Sequence, residues 1–181
     1  MNDIDNIRQY LAEKDAKRQA SRKQPYRKPE SIVQLERLHY EQAKAKNPDF
    51  HHVKAKFRDD SANSLTTCVI SFLKLKGHQA ERINTMGRPV DNTRVVTDFT
   101  GRRRRIGSVT WMPSGSTPGC ADISATINGR SIKIEIKFGH DRQSEAQRKY
   151  QKSIENAGGI YIIARTFDQF KSWYDHFMTK V

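Results

Sequence analysis

The stretch that decides the fold is Asp122-Ile123-Ser124-Ala125-Thr126-Ile127-Asn128-Gly129-Arg130-Ser131-Ile132-Lys133-Ile134-Glu135-Ile136-Lys137-Phe138. Asn-Gly between two alternating runs is the strongest short-range signal for a two-residue hairpin loop. With that loop at Asn128-Gly129, Ile127 faces Arg130, and stepping outward sets Asp122 opposite Glu135. Period two puts Asp122, Ser124 and Thr126 on one face with Ser131, Lys133, Glu135 and Lys137. The other face carries Ile123, Ala125 and Ile127 against Ile132, Ile134, Ile136 and Phe138. Burial of that apolar face fixes the register, and so brings two carboxylates together.

Two ionised carboxylates about 5 Å apart repel by roughly 3 kcal/mol at an effective dielectric near 20. Something must offset that repulsion. Lys137, on the same face, is one candidate. A divalent cation shared by both carboxylates is the other, and Mg²⁺ suits one or two carboxylates completed by water and substrate phosphate. An exposed salt-bridge patch would be the plain alternative.

Outward from the hairpin, Ser144 with Gln147 forms a capping box for a helix that ends before Gly158-Gly159, with Ala146, Tyr150 and Ile154 as its inner face. Ile160 to Ala164 reads as a short buried strand. Thr166 with Gln169 caps a last helix in which Phe167, Phe170, Tyr174 and Phe177 recur at core spacing. Upstream, Ser114 to Gly119 is rich in glycine and would let backbone approach the carboxylates. Arg88 to Thr117 reads as a hairpin or long loop and contains Arg102, Arg103, Arg104 and Arg105. His78 to Thr85 reads as a strand, and Leu65, Val69, Phe72 and Leu73 as a helix of about four turns, started at Ser61 or Ser64 and stopped at Gly77. The order is helix, strand, hairpin, helix, strand, helix, which predicts an α/β fold with a central mixed β-sheet flanked by helices.

The first 60 residues contrast with this. They hold 14 basic and 10 acidic side chains and no glycine, against 19 basic and 10 acidic side chains in residues 61–181. Ile4, Ile7 and Leu11 mark one weak helical face and Ile32, Leu35 and Leu38 another, joined by a basic linker around Ser21 to Lys28. Residues 1–60 are therefore expected to be a basic, mostly helical appendage that leans on the rest or stays mobile, and residues 61–181 the folded domain.

The whole chain of 181 residues carries a formal charge of +13, which makes a polyanion the expected partner and nucleic acid the leading one. No apolar run approaches the roughly 20 residues a membrane-spanning helix needs, and the acidic start Met1-Asn2-Asp3 is unlike a secretory signal, so a cytoplasmic protein is expected. Cys68 and Cys120, far apart and unpaired in spacing, read as free thiols. Arg102 to Arg105 are candidates for DNA phosphates, as are Arg148, Lys149 and Lys152 on the helix after the hairpin. His51-His52 lacks metal-ligand spacing, and His140 reads as a loop residue.

With those residues in view, Asp122 followed by Glu135-Ile136-Lys137 resembles the core of the PD-(D/E)xK nuclease superfamily, whose fold is restriction-endonuclease-like. The glycine-rich approach to Asp122, the Ser144-Glu145-Ala146-Gln147 helix start and the Gly158-Gly159-strand segment are similar to the virus-type replication-repair nuclease (VRR-NUC) domain. The resemblance spans about Ser61 to Phe177. It implies Mg²⁺ or Mn²⁺ held by Asp122, Glu135 and the Ile136 carbonyl, with Lys137 acting on water or the phosphoryl group and Gln147 supporting the site. It also implies a homodimer, prokaryotic or phage-encoded, acting on branched DNA of the four-way-junction or flap type. Two positions depart from the family pattern: Ala121 stands where Pro usually precedes the Asp, and the first helix offers Asn63, Ser64 and Thr67 where many members carry Glu. The expected activity is Mg²⁺-dependent, structure-selective endonucleolytic hydrolysis of DNA. The alternatives are a non-catalytic basic nucleic-acid-binding module and a sequence-specific cutter of linear duplex.

Overall fold

A computed structural model of the chain describes residues 9–11, 13–14, 25–85 and 87–180. Helices α1 (Glu30–Lys46) and α2 (Ala62–Leu75) come first, followed by strands β1 (Gln79–Arg82), β2 (Arg88–Asp91), β3 (Arg94–Thr97), β4 (Arg103–Ile106), β5 (Val109–Met112), β6 (Ile123–Ile127) and β7 (Arg130–Ile136). Helix α3 (Glu145–Asn156), strand β8 (Ile160–Ala164) and helix α4 (Phe167–Thr179) complete the chain.

The central sheet has the order β1-β6-β7-β8, antiparallel except for the parallel pair β7-β8. It is the mixed sheet flanked by helices that the sequence predicts. Asn128 adopts a φ of 47° and Gly129 one of 76°, so both loop residues take the left-handed conformation that a tight hairpin requires and that asparagine and glycine tolerate best. The register follows: Ile127 pairs with Arg130 and Ile123 with Ile134.

One face of this sheet builds the core. Ile123, Ala125, Ile127, Ile132, Ile134 and Ile136 are all buried and pack with Leu65, Val69, Phe72, Leu73, Phe167 and Phe170 from α2 and α4. Phe72 meets Phe167, Phe170 and Tyr174 edge to face, an arrangement favoured by the ring quadrupoles. Ser61 caps α2 by accepting from the Ser64 amide, and Thr166 caps α4 by accepting from Gln169.

The N-terminal stretch leans on this core. Ile32, Leu35 and Phe57 bury in the same cluster. Asp59 ties the stretch down, accepting from the Tyr26 hydroxyl at 2.8 Å and from the Phe167 amide at 3.2 Å. Residues 25–29 are irregular and Leu11 is helical and exposed, whereas Ile4, Ile7 and residues 21–24 lie outside the described residues.

Several expectations need correction. The strand expected over His78 to Thr85 spans only Gln79–Arg82, since Ile83 makes its last sheet bond to the Asp122 carbonyl and the chain then turns away. Strand β7 stops at Ile136, so Phe138 is not on the apolar face but 43% exposed at the surface. Ala146 is exposed rather than inward, while Tyr150 and Ile154 are half-buried. Helix α3 instead packs on the sheet through Gln147, which bonds Glu135, and Tyr150, which meets Tyr161 edge to face.

The stretch left open between hairpin and loop is resolved as a hairpin in two tiers. Strand β2 pairs with β5, and β3 with β4, so residues 88–112 form one antiparallel ribbon followed by a loop to Gly119. Both cysteines are free and buried. Cys68 donates its thiol to the Arg58 carbonyl, and burial pushes that thiol up to about 12. No helix among the described residues is long and apolar enough to cross a membrane.

Candidate metal and phosphate site

Strand β7 delivers Glu135 and its end delivers Lys137, both on the face opposite the isoleucines. At their end of the strand that face does not look into solvent, although Thr126 and Ser131 near the hairpin loop are exposed. Glu135 is 2% and Lys137 4% exposed, because α3 and Tyr161 of β8 close over them. Burying these groups is tolerable only if each finds partners.

Glu135 is held on both oxygens. Its Oε1 accepts from Gln147 Nε2 at 2.6 Å and pairs with Lys137 Nζ at 3.2 Å, and its Oε2 accepts from the Tyr161 hydroxyl at 3.4 Å. Lys137 Nζ reaches on to Asp141 Oδ2 at 3.2 Å. The capping box of α3 is complete: Ser144 Oγ accepts from the Gln147 amide while Gln147 Oε1 accepts from the Ser144 amide, which leaves the Gln147 NH₂ group aimed at Glu135. One glutamine therefore both starts the helix and ties it to the carboxylate.

Asp122 precedes β6 by one residue, so the ladder stops short of it. The expected juxtaposition with Glu135 is made another way. Asp122 Oδ2 accepts from the Ile136 amide at 2.9 Å, which fixes it beside the neighbour of Glu135, while its carbonyl accepts from Ile83. Burial first, and then the nearby Asp122 charge, push the Glu135 carboxyl up to about 7, although Lys137 and Tyr161 pull it down. Burial, with Glu135 next to it, also raises the Tyr161 hydroxyl.

Asp122 faces an open cavity of about 530 Å³ that it lines with Asn63, Arg82, Ile83, Asn84 and Thr85. Arg82 Nη2 of β1 donates to Asn63 Oδ1 of α2 at 2.9 Å, so the cavity wall beside Asp122 carries a guanidinium and an amide. The site is thus layered: Asp122 meets solvent, and Glu135 lies behind it.

Gly119 shapes the approach in an unforeseen way. Its backbone lies against the first turn of α3, where an added Cβ would collide with the Ala146 and Gln147 backbone, and its φ is +77°. The glycine-rich loop holds the helix that holds Gln147.

The remaining candidates are dispersed. Arg102 to Arg105 sit on the ribbon, with Arg104 at 3.8 Å from Asp98 and Arg105 at 3.4 Å from Asp91. Arg148, Lys149 and Lys152 are exposed on α3, where Arg148 donates to the Gln143 carbonyl and Lys149 pairs with Glu145. His52 bonds the Asn47 carbonyl and His140 is an exposed loop residue.

Sequence reasoning missed Tyr161 and Asp141. Tyr161 is adjacent to Lys133 in the β7-β8 register and so shares the Glu135 face. A tyrosine inside an isoleucine-rich buried strand was the available signal, since its hydroxyl must find a partner. Asp141 lies in an irregular loop and gave none.

Chemically, Asp122 and Glu135 supply carboxylate oxygens beside a buried ammonium. Among the described residues no third His, Cys, Asp or Glu gathers with the pair. Asp122 at the open cavity with Glu135 behind it fits the one or two carboxylates, completed by water and phosphate, that Mg²⁺ or Mn²⁺ takes in phosphoryl chemistry. A scan against models of known protein families finds no match to this chain, nor does a search of curated proteins.

Proposed function

We propose that this chain is a metal-dependent DNA endonuclease with a PD-(D/E)xK-type core of the VRR-NUC kind, cutting phosphodiester bonds in branched DNA. The observation that carries the reading is Glu135: a 2%-exposed carboxylate held next to a second carboxylate and ion-paired to Lys137. A buried like-charge arrangement is costly, and functional sites are where such costs are tolerated.

Asp122, Glu135 and the Ile136 carbonyl would hold Mg²⁺ or Mn²⁺. The ion would lower the pKa of a bound water and neutralise charge developing at phosphorus. Lys137, fixed between Glu135 and Asp141, supplies positive charge that needs no rearrangement during reaction. Gln147 and Tyr161 orient Glu135. Arg82, on the cavity wall with Asp122, is placed to meet a phosphate entering from solvent. The formal charge of +13 draws DNA towards the protein. A homodimer would present two such sites to a junction.

Incubating four-way-junction, flap and linear DNA with and without Mg²⁺ tests the proposal. The reading expects cation-dependent cleavage of branched DNA, and Asp122→Asn is expected to bind without cutting. Tight binding with no cleavage under any divalent cation would favour the non-catalytic binding module instead.

A further inference from the structure

Residues 88–112 stand apart from the rest of the chain. None of them is buried, although the ribbon carries Val95, Val109, Trp111 and Met112, each at least half exposed. A two-stranded ribbon on its own is marginal in water, and exposed apolar residues gathered on one element usually await a partner. Its charge says which kind. The ribbon holds six arginines and two aspartates. The aspartates are engaged by Arg104 and Arg105, and among the described residues Arg102 and Arg103 have no carboxylate partner.

The tip is built rather than loose. Asp98 Oδ1 accepts from the Thr100 amide, the Thr100 hydroxyl and the Arg102 amide, and the Asp98 amide donates to the Arg102 carbonyl. Those bonds hold the Asp98 carboxyl below the usual carboxylate range. Between them Phe99 is left fully exposed, with a relative accessibility of 101%. Nothing in the fold requires a phenylalanine there.

The root of the ribbon adjoins the carboxylate cavity. Ser114 Oγ donates to the Thr85 carbonyl and Ser116 Oγ to the Asn84 carbonyl, and Asn84 and Thr85 line the cavity with Asp122. A polyanion reaching Asp122 therefore passes the base of the arm.

We propose that this hairpin is a substrate arm in which Phe99 stacks on a base face exposed at a DNA branch point while Arg102 and Arg103 hold the flanking phosphates. Stacking needs a base face that duplex interiors hide, so the tip discriminates branched from linear DNA, whereas the arginines grip both. This rests on the nucleic-acid part of the function proposed above and not on cleavage.

The test is fluorescence anisotropy in EDTA with a four-way junction and a linear duplex of the same sequence. Phe99→Ala is expected to weaken junction binding about tenfold and duplex binding less than twofold, with Phe99→Trp restoring the junction. Arg102→Ala with Arg103→Ala should weaken both DNAs and flatten the salt dependence of binding by about one to two in log–log slope. Equal losses on both DNAs from Phe99→Ala, or no loss, overturn the assignment. So does an arm variant that turns a dimer into a monomer in sedimentation with DNA affinity intact, which would make the arm a contact between copies. A wild-type protein that binds neither DNA overturns arm and nuclease together. One that prefers the junction but cuts nothing with Mg²⁺ overturns only the nuclease.

Discussion

Glu135 and Phe99 occupy opposite extremes of one chain, the first 2% exposed and bonded on both oxygens, the second entirely in solvent at the end of a ribbon with no buried residue. The contrast separates two kinds of demand. Polar chemistry in a low-dielectric setting needs every group fixed in advance, so it is built on strands and a capped helix. Gripping a large, variable polyanion, the role proposed for the ribbon, needs reach and unshielded charge, which suits an element that contributes nothing to the core.

The largest break in that contrast is expected at the carboxylates. Asp122→Asn should lower DNA cleavage on the order of 10²–10³-fold, read as initial nicking rates, while the melting temperature stays within a few degrees. Lys137→Met should come next. Removing the cation beside a buried carboxylate costs about 3 kcal/mol at pH 8, measured by urea unfolding, and less at pH 5, where Glu135 takes up a proton.

The same group predicts how stability depends on pH. Glu135 is raised from an ordinary 4.5 to about 7, so the folded state holds a proton that the unfolded state has already lost. The contribution of Glu135 to stability should be complete below pH 4.5 and be lost as pH rises to about 7, by about 3 kcal/mol. Glu135→Gln should remove that fall. Saturating Mg²⁺ should flatten it in the wild type, because the dication takes the place of the proton.

Gly119→Ala should cost about 2 kcal/mol, from a positive φ and a clash with the Ala146 backbone, and should displace Gln147 from Glu135. At the other extreme, Arg103→Ala should change unfolding free energy by no more than about 0.5 kcal/mol, since Arg103 is exposed and so is Thr97, its partner across the ribbon. A larger loss would mean that the ribbon is part of the folding unit and would erase the contrast.

The sequence made the buried region far more legible than the exposed one. Asn128-Gly129 and the isoleucine alternation set the register, and the register carried Glu135 and Lys137 to one face. Ser144 and Gln147 announced the helix start that the structure realises with both capping bonds. What stayed hidden was the cover over the polar face. Periodicity reports which side of a strand a residue occupies but not what lies above it, so Tyr161 passed as one more apolar strand residue and Gly119 as a neighbour of the carboxylates. Residues 88–112 resisted for a different reason: with no buried face they carry little hydrophobic alternation, and their pairing rests on one turn at Asp98-Gly101 and on a break where Asn92 meets Ser108 across the ribbon, neither distinctive in spacing.

Uptake of a divalent cation by the two carboxylates is the property from which the proposed chemistry follows. Calorimetric titration of the protein with Mn²⁺ at pH 8 should give a saturable binding heat in the wild type that disappears in Asp122→Asn. A wild type that shows no binding heat, or an Asp122→Asn variant that keeps it undiminished, would contradict the account.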